Sequence, residues 1–212
     1  MKLKGQFVID SKITNIVHCG DIHIRNWKRH EEYKIMFNKF YDELDKIKPE
    51  IIVVGGDIAH SKTDLSPELV RMIHDFFINL SKRAEAVIII PGNHDANLNN
   101  GHRLDALTPI VDSAQIPNLF YFKESGYYQF NDVVFGVMSI LESSSKYPLL
   151  PKSKHRKRIA LWHGALDGSI LDAGISMTGR HNISMFEGYD IAMLADIHKH
   201  QFLNSDKTIA YC

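Results

Sequence analysis

Short apolar runs that stop at a turn and deliver a polar, chemically capable residue recur along this chain. Residues 87–90 read Val-Ile-Ile-Ile, a β-branched run of the kind a buried strand uses, and Pro91-Gly92 then ends it. Asn93, His94 and Asp95 follow on the turn. The same layout leads from 15–19 into Asp21 and His23, from 51–54 into Asp57, from 159–162 into His163 and from 191–194 into Asp196 and His198. Helical periodicity fills the gaps between the early strands. Tyr33, Met36, Phe37, Phe40, Tyr41, Leu44 and Ile47 mark one face of a helix over 31–48, closed by Lys48-Pro49. Ser66-Pro67-Glu68 is a capped helix start, and Leu69, Ile73, Phe76, Phe77 and Leu80 continue its apolar face. Strand alternating with helix predicts a parallel sheet built from right-handed crossovers.

Beyond Asp95 the pattern changes. Residues 104–114 predict one more helix, whereas 119–122, 127–130 and 133–139 read as short strands separated by turns at Ser125-Gly126 and Asn131-Asp132. A second, mostly antiparallel sheet is expected from them, and residues 1–13, of mixed character, are read separately as including an edge strand near 7–9. Residues 152–158 form a basic loop, and 165–188, rich in Gly and Ser without clear periodicity, read as a mobile surface loop. Two thin strands at 202–203 and 208–211 close the chain, which stops directly after a strand, as a fragment of a longer protein would.

Composition narrows the class. A chain of 212 residues, 44% hydrophobic, supports one substantial domain, read here as 1–212. Lys+Arg and Asp+Glu both number 25, so attraction to a polyanion must be local. Cys19 and Cys212 do not make a disulfide framework and fit a reducing compartment. No signal peptide or membrane-spanning run is seen, so a cytoplasmic protein without a membrane partner is expected. Histidine is abundant, at 12, and position decides which matter. His18 falls on a predicted strand and reads as a packed core residue, while His30, His74, His102, His155 and His181 read as surface. Phe76, Phe77 and Phe135 sit at core spacing rather than as stacking platforms.

The strand ends together offer Asp21, His23, Asp57, Asn93, His94, His163, Asp196 and His198. Oxygen and imidazole donors without thiolates suit Mn²⁺, Mg²⁺, Fe or Zn²⁺, and the set is too large for one ion. Two ions sharing a carboxylate is the economical arrangement, and phosphoester hydrolysis is the chemistry it fits best.

Asp21-x-His23, Gly56-Asp57, Gly92-Asn93-His94-Asp95, His163-Gly164 and a closing His198, in this order, resemble the calcineurin-like metallophosphoesterases. The resemblance implies a four-layer α/β/β/α sandwich. It implies that Asp21, His23, Asp57 and His198 hold one metal, and Asp57, Asn93, His163 and Asp196 the other. His94 would be the unliganded general acid or phosphate contact, with Asp95 its orienting partner. Asp57-Ile58-Ala59-His60 followed by Ser66-Pro67-Glu68 is similar to the SbcD-type nucleases of recombination and double-strand break repair and to their phage relatives. That likeness implies exonuclease and endonuclease action on DNA with two divalent ions, Mn²⁺ foremost, and His60 assisting near the leaving strand. It also implies an SbcC-type coiled-coil ABC ATPase partner, a homodimer formed through the helices at 31–48 and 66–83, and a C-terminal DNA-binding cap outside these residues. Serine/threonine phosphatases carry an Asp-Arg pair where this chain has Ser61-Lys62.

One departure stands out: the family's closing motif is usually Gly-His-x-His, and here it is Ala195-Asp196-Ile197-His198. Either a carboxylate replaces an imidazole, or His198 and His200 form the pair one register later. Two other functions compete: a phosphoesterase for a small nucleotide-type substrate, and a scaffold with weakened catalysis, hinted at by Asp196. Lys62, Arg103 and Arg180, with the basic run Lys152, Lys154, Arg156, Lys157 and Arg158, are the candidates for phosphate contact.

Overall fold

The computed structural model describes residues 3–100, 103–149 and 156–212, so His102, Lys152, Lys154 and His155 lie outside the described residues. In chain order the elements are β1 (Leu3–Phe7), β2 (Ile16–Cys19), α1 (His30–Ile47), β3 (Ile51–Val54), α2 (Pro67–Ser81), β4 (Ala86–Ile89), α3 (Thr108–Ala114) and β5 (Leu119–Tyr121). They continue with β6 (Gly126–Phe130), β7 (Val133–Met138), β8 (Lys157–His163), β9 (Ile191–Ala195), β10 (Gln201–Phe202) and β11 (Ile209–Tyr211).

Two sheets form the centre. The first runs β2-β3-β4-β5 and is wholly parallel. Cys19 pairs with Val54 and Val54 with Ile89, so the carboxyl ends of three strands finish level and their following turns emerge at one rim. The second sheet runs β1-β6-β7-β8-β9-β11-β10. It corrects the expected antiparallel sheet: only β6-β7 and β10-β11 are antiparallel, and β1-β6, β7-β8, β8-β9 and β9-β11 are parallel. Asn131, at φ 48, closes a tight hairpin between β6 and β7, whereas the long connections on either side of β8 give the chain room to cross over. β5 also departs from expectation, because it extends the first sheet beside β4.

Alternate strand residues feed two cores. Ile52, Val54, Val87 and Ile89 face the helices and meet Phe37, Tyr41 and Leu44 of α1, Leu69, Ile73, Phe76, Phe77 and Leu80 of α2, and Ile110 of α3. Ile51, Val53, Ala86 and Ile88 face the second sheet and meet Phe130, Phe135, Val137, Ile159 and Leu161. Each of these large side chains removed from water contributes about 1.5–3 kcal/mol of transfer free energy. The far face of the second sheet, with Ala160, Trp162, Ala192 and Leu194, is covered by Leu166, Phe186, Leu171, Met177 and Met185. The fold is therefore an α/β sandwich whose outer cover on this side is irregular, with a 3-10 turn at Ile183–Phe186. The segment expected to be a mobile loop is a packed layer, tied down by Ser169 to Leu166 and by Leu166 to the Tyr211 hydroxyl.

His18 carries a testable cost. Its Nε2 is shielded from solvent and has no hydrogen-bond partner among the described residues, and burial lowers its pKa to about 4. The unfolded chain takes up this proton near pH 6.5 and the folded chain does not, so stability is present above that pH and lost as pH falls toward 4. Urea unfolding in chelator at pH 7 and pH 5 should show His18→Gln losing about 2 kcal/mol less than the parent chain on acidification.

Candidate metal centre

The rim turns are stitched to one another before any side chain is considered. Asp21 N donates to Gly56 O (3.0 Å), His23 N to Asp57 O (2.8 Å) and Ile24 N to Ile58 O (2.8 Å), which continues the β2-β3 ladder past the strands. Asp21 (φ 53), His23 (φ 50), Asp57 (φ 53) and Asp196 (φ 101) all have left-handed backbone. Non-glycine residues adopt that region at a cost of about 1–3 kcal/mol, and such strain concentrates where a side chain must be aimed. Gly56 and Gly92 let the next turn nest against this one. A Cβ at Gly56, where φ is 102, would lie 2.6 Å from Gly92 N, and one at Gly92 would collide with the Asp57 carboxylate and backbone nitrogen. Gly92→Ala should therefore destabilise the chain by about 1–3 kcal/mol and weaken metal binding, read by thermal melts with and without Mn²⁺.

The side chains converge on Asp57, which is 1% exposed. Its Oδ2 lies 3.6 Å from His23 Nε2 and 3.5 Å from His163 Nε2. His23 Nε2 is 3.1 Å from His198 Nε2, His163 Nε2 is 3.0 Å from Asn93 Oδ1, and Asp196 Oδ1 is 3.6 Å from His163 Nε2. Asp21, His23 and His198 form one group of converging donor atoms, and Asp21, Asp57 and His163 another. Donor atoms held about 2.1 Å from one cation stand roughly 3.0–3.4 Å apart, close to the spacings seen here. The chemistry agrees, since three carboxylates, three imidazoles and an amide suit a pair of hard or borderline divalent ions.

Hydrogen bonds set the tautomers and hold the carboxylates. His163 Nδ1 donates to Gly55 O at 2.8 Å, which turns Nε2 toward Asp57, Asn93 and Asp196. Both Asp21 oxygens accept from Asp196 N, at 3.1 and 3.0 Å. Burial pushes the Asp21 carboxyl up, and it pulls the His23 imidazole down to about 4 against the attraction of Asp57. At His163 burial also acts to lower the pKa, but hydrogen bonds to Asp196 and Asp57 outweigh it and raise the group. Asp57 is correspondingly lowered: burial is the largest influence and opposes this, and His163 and the His94 N–H overcome it.

The other expected residues are distributed as follows. His94 lies beside the donors, its ring 4.7 Å from that of His23, and its backbone N–H reaches Asp57 Oδ1 at 2.8 Å. Its Nδ1 bonds the carbonyl of His60 at 2.8 Å, so the orienting partner is that carbonyl rather than Asp95. Asp95 instead accepts from Ala59 N (2.9 Å) and Gly92 N (3.0 Å), clamping the two turns together, and its full burial raises its carboxyl to about 7. The His60 ring stacks near His94 at 5.8 Å. Of the two registers for the closing motif, the geometry brings in Asp196 and His198, while His200 turns away to bond Tyr211 O. Lys62 reaches the Asn93 carbonyl at 3.0 Å, and Arg180 lines a cavity beside the donors. Arg103 sits on an exposed turn bonded to Asn100 and is not part of that lining. Arg156 bonds Gln129, and Arg158 is enclosed and paired with Asp190, so neither is a loose loop cation.

Two contributors escaped the sequence reading. Tyr33 of α1 donates its hydroxyl to His23 O at 2.6 Å, pinning the ligand turn, although its spacing marked it only as a core position. His181, read as surface, is half-buried with its ring 5.5 Å from Trp162. The aperiodic segment around His181 leaves no signal for its contact, and helical spacing at Tyr33 does not tell where its hydroxyl goes.

A rim of carboxylate, imidazole and amide donors at the ends of parallel strands defines the class as an α/β protein with a divalent-metal centre. The chain belongs to the calcineurin-like phosphoesterase family, whose sequence profile matches residues 14–203, so it is a metal-dependent phosphoesterase by class. Uncharacterized protein R555 of Acanthamoeba polyphaga mimivirus is 43% identical over 217 residues, covering 95% of this chain and 16% of that protein. The DNA double-strand break repair protein Mre11 of Nanoarchaeum equitans is 29% identical over 79 residues, covering 37% of this chain and 22% of that protein. The chain thus spans a small part of the curated relatives it matches. Among solved structures, the Pseudomonas putida nuclease MPE aligns over 77% of this chain and 67% of its own, at a TM-score of 0.41 and 16% identity. Among the described residues no helix is long and apolar enough to cross a membrane.

Proposed function

We propose that this chain is the catalytic domain of a DNA phosphodiesterase, both exonuclease and endonuclease, acting in recombination or double-strand break repair. The observation that carries the reading is the convergence of Asp21, His23, Asn93, His163, Asp196 and His198 around the buried carboxylate of Asp57. The likeness to a protein named for double-strand break repair supports DNA as the substrate. Two divalent ions at these residues, Mn²⁺ by preference, would supply a water of lowered pKa and neutralise the phosphate.

The chain's own groups do the rest. His94 is held at two points, through its backbone N–H to Asp57 and through Nδ1 to the His60 carbonyl, which leaves Nε2 to carry a proton to the departing oxygen. His60 flanks that ring and steers the leaving strand. Lys62, tethered to the Asn93 carbonyl, brings a positive charge within reach of the phosphate. Ile35, Met36 and Ile47 are exposed on α1 and Val70 on α2, which supports a homodimer through these helices. A coiled-coil ABC ATPase partner and a cytoplasmic location complete the reading.

Linear duplex DNA and a chromogenic phosphodiester, each incubated with the chain and Mn²⁺, test it. Degradation of the DNA that Asp57→Asn abolishes supports the nuclease. Hydrolysis of the small ester alone points to a small-substrate phosphoesterase, and metal binding without turnover to a scaffold.

A further inference from the structure

The cavity beside the metal centre has walls that phosphate hydrolysis does not use. Of about 500 Å³, it shares Asn93, His163 and Asp196 with the centre, and its far wall is built from Leu98, Tyr147, Trp162 and His181. Trp162, 3% exposed, directly precedes His163 on β8. Gly164, at φ 155, makes room for its indole, since a Cβ there would lie 2.6 Å from Trp162 Cζ2. The indole is thus a fixed plate. His181 stands edge-on against it, with centroids 5.5 Å apart and planes at 75°, and Tyr147 lies 6.2 Å beyond. Both outer rings are half-buried, exposed Arg180 lines the same space, and Glu142 and Ser144 add hydrogen-bond acceptors.

Resting on the phosphodiesterase reading above, we propose that this cavity is a base slot, taking the nucleobase next to the scissile phosphate. The base stacks on the rings of Tyr147 and His181, and Arg180 contacts the neighbouring phosphate. A base lies one sugar away from its phosphate, and the slot is continuous with the residues that would hold that phosphate. Stacking is tolerant of base identity, so the slot orients a strand without selecting a sequence. A phosphate monoester lacking a base would leave these rings idle.

Two measurements on the intact chain test this. In the first, single-stranded oligonucleotides with normal residues and with abasic residues are digested with Mn²⁺. The base-bearing strand should show a KM about tenfold lower, Tyr147→Ala and His181→Ala should erase that preference, and Tyr147→Phe should restore it. A preference that both alanine variants keep, or no preference at all, overturns the slot. In the second, Trp27→Phe leaves Trp162 as the sole tryptophan, since the chain has 2, and its fluorescence is followed during titration with thymidine 5′-monophosphate or inorganic phosphate. A change with the nucleotide alone supports the slot even if the chain cuts no DNA, in which case the nuclease reading fails separately. No change with the nucleotide overturns the slot even if DNA is cut.

Discussion

Asp57→Asn should lower kcat/KM for phosphodiester cleavage at least 10³-fold while the chain remains folded. The carboxylate occupies the middle of the centre, with Oδ2 facing His23 and His163 and Oδ1 bound by His94 N. Asparagine preserves the shape and one acceptor oxygen. It removes the negative charge between the two donor groups, and with the amide oxygen kept on His94 it turns an NH₂ toward the place a cation would occupy. Several kcal/mol of electrostatic stabilisation depend on that charge, which is why the loss is of order thousands rather than tens. Circular dichroism would report the intact fold, and cleavage assays across a Mn²⁺ series would show that added metal does not restore the rate. Full activity in Asp57→Asn would mean that the carboxylate is a turn residue and nothing more.

Replacement of His94 by glutamine should have a different signature. General acid catalysis contributes typically 10²–10⁴-fold, so kcat for DNA should fall by that factor, with Mn²⁺ binding preserved. The ring's Nδ1 is already committed to the His60 carbonyl, and His94 belongs to neither donor group that contains Asp21, although it stands with His23 and His60 in a third. The leaving group separates the explanations. A nitrophenolate departs without protonation and a deoxyribose oxygen does not, so a chromogenic diester should lose much less rate than DNA. Equal losses on both substrates would assign His94 to phosphate binding instead of proton transfer.

What the sequence made legible was local. Val-Ile-Ile-Ile before Pro91-Gly92, or Ile-Ile-Val-Val before Gly55-Gly56, states both a strand and its end, and each donor follows within a few residues. The hidden parts depend on neighbours remote in sequence. Strand direction in the second sheet is set by crossovers that carry no periodicity, so β8 and β9 were readable as strands but not as parallel ones. Leu166 and Phe186 are scattered through a Gly- and Ser-rich segment, so its role as the cover over Trp162 and Leu194 had no pattern to betray it. The family resemblance implies that Asp95 steers the His94 ring. The turn sends its carboxylate the other way, to Ala59 and Gly92. The left-handed backbone at Asp21, His23, Asp57 and Asp196 is likewise invisible in residue type, because aspartate and histidine tolerate it without requiring it.

Electron paramagnetic resonance of the chain titrated with Mn²⁺ tests the central claim most directly. Two ions per chain with an exchange-coupled spectrum, reduced to an isolated-ion signal by Asp57→Asn, is the expected result. A single isolated ion at saturation, or a coupled spectrum that Asp57→Asn leaves unchanged, would contradict it.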